Sequence, residues 1–221
     1  MMPRPWIILC AALSVLVACG EDRETLSEFE AISDEIGVSD EASAPEDARD
    51  LVSPITLAEV PTALFIERPD VPGAQSFMFL QSSDGGVETW QDSNTGSVVL
   101  ERGIARATRG FGDDLMSADI SQAIAAVYGD ARQALRVHWQ LDSENQLVSI
   151  SYICDYRRGP GTMTDRLLGA QPAQVVLENC ADSSGGGFEN RYWIDAGGVV
   201  RQSSQTIPGT IGTITLVRLK G

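Results

Sequence analysis

The chain has 221 residues and carries 31 acidic against 16 basic side chains, a formal net charge of −15. That balance argues against nucleic acid or an anionic membrane surface as a partner, because both are polyanions. With a single histidine and four cysteines, the sequence lacks the ligands of an ordinary zinc centre, and no cofactor is expected.

The first eighteen residues predict export. Arg4 supplies a positive charge, and no acidic residue precedes Glu21. Trp6 to Ala18 form an apolar run too short to span a hydrocarbon core of roughly 30 Å, the pattern of a secretory signal peptide. Leu16-Val17-Ala18-Cys19 matches the lipobox, in which the Cys sulfur takes a diacylglycerol and cleavage follows the small residue before it. An ordinary secretory signal with an incidental cysteine is the alternative. Cys19 is the expected lipid attachment site, and two or three acyl chains would anchor it durably, each buried methylene contributing roughly 0.8 kcal/mol. Gly20 stands where Asp would favour inner-membrane retention in enteric bacteria, so the expected place is the outer membrane, lipid-anchored and facing the periplasm.

Cleavage would leave 221 − 18 = 203 residues, divided into an acidic tether (19–52) and a single β-rich domain (53–221). Residues 20 to 50 hold twelve acids and two arginines, a net of −10; residues 51 to 221 hold nineteen acids and thirteen bases, a net of −6. The tether is charged and poor in aromatics, so it reads as a mostly disordered spacer. Leu26, Phe29, Ile32 and Ile36 fall at helical spacing, and a marginal amphipathic helix is the alternative there.

From Leu57 onward the dominant period is two. Strands are predicted at Ser76–Leu80, Gly86–Gln91, Val98–Glu101, Ile104–Thr108, Arg136–Leu141, Val148–Cys154, Ala173–Asn179, Phe188–Asp195, Val199–Gln205 and Gly212–Leu219. Arg102-Gly103 reads as a hairpin turn. One helix is expected from Ile120 to Tyr128, capped by Ser117 or Asp119 and ended by Gly129, with Ile124, Val127 and Tyr128 on its apolar side. These elements imply a mainly β fold: a large antiparallel meander sheet curled on itself, barrel-like or half-barrel, with one or two short helices.

Candidates for chemistry are few. His138 alternates with Val137 and Trp139, and a lone strand histidine is expected on the polar face. There is no G-x-S-x-G elbow, P-loop or EF-hand spacing, so no catalytic or metal residue is assigned. Cys154 and Cys180 remain after Cys10 leaves with the signal and Cys19 takes lipid. A structural disulfide is expected in an oxidising compartment, with free thiols or a redox pair as alternatives. Trp90, Tyr192 and Trp193 are expected as core or cross-strand aromatics, with glycan or partner contact as the sharper alternative. Arg109, beside Asp113-Asp114, either fixes a corner through ion pairs or binds a ligand.

V-E-T-W (87–90), T-R-G-F-G-D-D-L-M (108–116) and N-x-Y-W-I-D (190–195) with the following G-x-V-x-Q-S resemble the YjbF/GfcB family of lipoproteins, associated with group 4 capsule and other exopolysaccharide production. The resemblance covers most of residues 51 to 220. It implies an extended antiparallel meander folded on itself and brings no catalytic residues. An aromatic that follows the late Gln in the family pattern is replaced here by Thr206-Ile207. The expected function is that of a non-enzymatic accessory or assembly factor in capsule or exopolysaccharide export, with export proteins or the polysaccharide as partners. A carrier of a lipid or acyl ligand, needing an apolar cavity, and a polysaccharide-modifying enzyme, needing paired carboxylates in a cleft, are the alternatives.

Overall fold

The computed structural model describes residues 47–51, 62–165 and 168–220. All belong to one compact unit, Pro45–Gly221. The lipobox with Cys19 and most of the expected tether lie outside the described residues.

Twelve strands form one antiparallel sheet: β1 (Ala63–Glu67), β2 (Gln75–Asp84), β3 (Val87–Gln91), β4 (Ser97–Glu101), β5 (Ile104–Arg109), β6 (Ser117–Asp119), β7 (Gln133–Leu141), β8 (Leu147–Asp165), β9 (Gly169–Ala181), β10 (Gly187–Ile194), β11 (Val200–Ile207) and β12 (Gly212–Lys220). The order is β5-β4-β3-β2-β1-β12-β11-β10-β9-β8-β7-β6. Consecutive strands pair at every step but one. β1 pairs with β12, and β5 and β6, neighbours in sequence, form the two edges. The sheet is therefore a meander curled until its edges approach, a nearly closed barrel, as the period-two pattern predicts.

The corner at residues 108–116 joins the two edges. Thr108 N donates to Leu115 O (2.9 Å), and Met116 N donates to Trp139 O on β7 (2.9 Å). Asp114 accepts from Thr108 Oγ1 (2.9 Å) and Gly110 N (2.7 Å), and Asp113 accepts from Thr210 N (3.2 Å). Arg109 donates to the carbonyls of Leu115 and Met116, both at 3.0 Å. Arg109 thus fixes the corner through backbone carbonyls rather than through the acidic pair.

The Arg102-Gly103 turn is as predicted, with both residues at positive φ (51° and 82°). A Cβ on Gly103 would lie 2.7 Å from Val200 Cβ, so only glycine lets the β4–β5 turn sit against β11. Gln205 locks this contact: its side chain accepts from Ala105 N (2.8 Å) and donates to Gly103 O (3.0 Å) and Ser203 Oγ (2.9 Å). Gln205→Leu is expected to orphan two buried backbone groups and cost about 2–3 kcal/mol, measurable by urea denaturation. A loss below about 0.5 kcal/mol would contradict the latch.

The helix, α1, spans Ser121–Tyr128, with Ile120 as N-cap and Gly129 as C-cap. No side chain bonds from the cap position; Asp119 Oδ1 instead accepts from Ser121 N (3.1 Å), one residue earlier than a capping residue would stand. Its buried residues are Ala123, Ala126 and Val127. Small residues let it lie close against β7 and β8, while Ile124 and Tyr128 are only partly buried.

Ala48–Leu51 forms a 3-10 turn, although these residues were expected to close the tether. Ala48 N donates to Gln75 Oε1 (2.8 Å), and the Arg49 guanidinium lies 4.2 Å from the Phe65 ring centre and 3.0 Å from Glu67. Phe65 belongs to a small second cluster with Ala63, Val217 and Leu219, on which Ala48, Phe77 and Leu168 also pack.

Strand β7 turns the other face inward from the one its apolar pattern suggests. Arg136, His138 and Gln140 are 1%, 0% and 8% exposed, whereas Leu135 and Leu141 are 37% and 44% exposed. On β8, Leu147 and Ile153 lie opposite Leu141 and Leu135 and are more open still. The expectation of His138 on the polar face is corrected.

Candidate functional site

The inverted face of β7 builds a buried polar network. Arg136 Nη1 donates to both Glu178 oxygens (3.0 and 2.8 Å). Tyr192 OH and Asn190 Nδ2 each donate to Glu178 Oε2 at 2.7 Å, and Tyr156 OH donates to Oε1. Asn190 Oδ1 accepts from Thr206 N (2.7 Å), tying the network to β11. Burial alone would raise the Glu178 carboxyl, but the Arg136 charge and three side-chain hydrogen bonds hold it below its usual value. Burial opposes the Arg136 charge as well, and Glu178 more than restores it. Burial and the neighbouring carboxylate push the Tyr156 and Tyr192 phenols up. The residues come from β7, β8, β9 and β10, so an ion pair separated by 42 residues had no local signature.

Next to it, His138 packs 5.1 Å from the Tyr152 ring and stacks on Phe188 at 5.6 Å. Neither ring nitrogen has a hydrogen-bond partner. Burial, then the Arg136 charge, lowers its pKa to about 3. Between that value and about 6.5 the unfolded chain binds a proton that the folded chain refuses. Stability is therefore expected to fall by about 2 kcal/mol from pH 7 to pH 5 through this residue. His138→Leu should flatten that dependence in urea denaturation series at the two pH values; an unchanged slope would refute it.

Cys154 and Cys180 are directly opposite on β8 and β9 and are joined as a disulfide. Both lie close to Glu178, but the sulfurs are bonded to each other and the carboxylate to Arg136, so this is a structural rather than a metal-binding arrangement.

Burial also decides the aromatic candidates. Trp90 and Tyr192 are 0% exposed, so their rings have no face open to a glycan or partner. Trp90 Nε1 donates to Glu88 (3.2 Å), which pairs with Arg218, and Tyr192 serves Glu178. Trp193, pointing the opposite way on β10, is half-buried on the outer face.

Around Trp193 lies a polar groove of about 680 Å³. The strand register arranges its walls in cross-strand rows. One row carries Asp155, Asn179 and Glu189; the next carries Arg157, Leu177, Arg191, Ser204 and Thr215. The third carries Trp193 and Gln202. Leu168, in the β8–β9 turn, packs on the outer cluster of β1 and β12, which brings the far part of this long hairpin over the outer face. A second recess of about 550 Å³, lined by Arg132, Arg157 and Arg158, shares Arg157 with it. No sequence signal marked these residues beyond Trp193, because the rows exist only once five strands are in register.

Fold and groove define a class: a curled twelve-stranded antiparallel sheet with a filled interior and a polar outer cleft. Residues 41–219 match the family described as group 4 capsule polysaccharide lipoprotein gfcB, YjbF, and the chain belongs to that family. This makes it a capsule-associated lipoprotein of the cell envelope, and the family description names no enzymatic activity. Among solved structures, the hypothetical lipoprotein YmcC from Escherichia coli (K12) is similar with a TM-score of 0.65, covering 90% of this chain and 93% of that chain at 17% identity. That identity speaks for the fold alone. Comparison with curated proteins gives no match.

Proposed function

We propose that the protein is an accessory factor of capsule or exopolysaccharide export, held at the outer membrane through lipid on Cys19 and acting in the periplasm by binding. The ligand is the polymer itself, or a protein of the export machinery that handles it. The groove around Trp193 carries this reading. It combines a half-buried indole, hydroxyl and amide side chains, and charges of both signs on a rigid sheet, the donor, acceptor and stacking groups that a polyhydroxylated chain uses. The lipobox, the acidic tether and membership of a capsule lipoprotein family support the location and pathway.

A carrier of lipid would need an apolar cavity beneath the curl. The inward face of the described strands is instead occupied by the main apolar cluster and the Glu178 network. Envelope crosslinking followed by capture of the lipidated protein, with Cys19→Ser as control, tests the proposal. Recovery of export components or capsular glycan only with the lipidated form is the expected result. Recovery of neither would overturn it.

A further inference from the structure

Which polymer chemistry the groove selects can be argued from its arginines. Among the described residues, nine guanidinium groups have an evident partner inside the protein. Arg49, Arg106, Arg136, Arg158, Arg201 and Arg218 face carboxylates. Arg68 and Arg109 hold backbone carbonyls, and Arg102 stacks on Tyr128. The guanidinium groups of Arg132 and Arg157 make no such contact, and Arg191 only lies over Trp193 at 5.6 Å. These three border the groove and the recess joined to it. In an acidic protein they are, among the described arginines, the ones left open to a ligand.

Arg157 and Arg191 flank Leu177 in one row, with Cα atoms about 10 Å apart across two strand spacings. Their long side chains can converge on one carboxylate above Leu177. Trp193 and Asp155 lie in the rows on either side, each about 7 Å away. A sugar ring resting on Trp193 thus places a ring carboxylate over the arginines. Hydroxyls of the next sugar along the polymer reach the row of Asp155 and Glu189, whose ionised carboxylates act only as acceptors.

We propose that this groove binds polysaccharide bearing uronic-acid sugars, Arg157 and Arg191 meeting the carboxylate and Trp193 carrying the ring. The proposal rests on the polymer-binding form of the function given above. Guanidinium forks match carboxylates in a bidentate manner that hydroxyls cannot reproduce. The surrounding negative charge confines a polyanion to this strip.

Isothermal titration of the full lipidated protein in neutral detergent, with oligogalacturonate and with malto-oligosaccharide as probes, tests it. Oligogalacturonate should bind, weaken as salt rises, and lose at least about tenfold in affinity in Arg157→Gln/Arg191→Gln and in Trp193→Ala. Arg106→Gln, at a distant surface pair, should leave binding unchanged. Equal binding of both probes, with loss only in Trp193→Ala, would overturn the acidic class while leaving polymer binding in place. Binding of neither probe, or no effect of the arginine substitutions, would also overturn it. The envelope capture uses neither probe and judges the export role separately.

Discussion

Glu178→Leu is expected to cost about 3–5 kcal/mol, because it leaves the Arg136 guanidinium buried without a counter-charge. Arg136 is only 1% exposed and Glu178 likewise, so water cannot replace the missing partner. The same substitution strips the acceptor from Tyr156, Tyr192 and Asn190. Arg136→Met should cost a similar amount by isolating the carboxylate. The double variant Arg136→Met/Glu178→Leu should be less destabilised than the two single losses added together, since both charges leave at once. Urea denaturation of the four proteins closes the cycle, and simple additivity would refute the coupling. Acid should act through the same group. Glu178 titrates below its ordinary value of 4.5, so its contribution is fully present above that value and is lost as pH falls through its lower folded value. That window lies at the acid end of the His138 effect.

Removing the disulfide should rank next. Cys154 and Cys180 are 26 residues apart, and closing a loop of that length restricts the unfolded chain by about 3.5 kcal/mol on the chain-entropy account. The bridge spans the first part of the β8–β9 hairpin, beside Ala134 and Glu178. Cys154→Ala/Cys180→Ala is expected to lower stability by that order, and dithiothreitol should shift the oxidised wild type in the same direction while leaving the variant unmoved. A shift below about 1 kcal/mol in both measurements would show that hairpin contacts in the unfolded chain already supply the restriction.

Much of the architecture was legible in the chain. Period-two alternation located most strands, Arg102-Gly103 marked a hairpin, and Gly129 marked the helix end. Strand β1 has no sequence signal because Ala63-Leu64-Phe65-Ile66 is apolar throughout and shows no alternation, and β6 has none because its three residues are too few to show a period. The far half of β8 was missed because Arg157-Arg158-Gly159-Pro160-Gly161 reads as a turn. Its backbone pairs regularly with β9 through Pro160 and beyond, a tertiary outcome that local propensity opposes.

The site was less legible, and β7 shows why. Alternation in Val137, Trp139 and Leu141 correctly announces a strand, but it says nothing about which face the fold needs. Arg136 goes inward because Glu178, Tyr156 and Tyr192 meet it there from three other strands. A buried charge is tolerated only where such partners converge. Tyr192 and Trp193 are adjacent in sequence, yet the pleat sends one into this network and the other onto the outer groove.

By itself, the sequence determined the strand-rich meander, the pairing of its turns, the two cysteines available to bridge and the acidic character of the whole. These follow from local backbone preference and composition. Only the tertiary structure decided which face of each strand is interior, which arginines are left without internal partners, and that Trp193 shares a groove with Arg157. Those are consequences of long-range register, in which residues far apart in the chain become neighbours about 5 Å apart across strands.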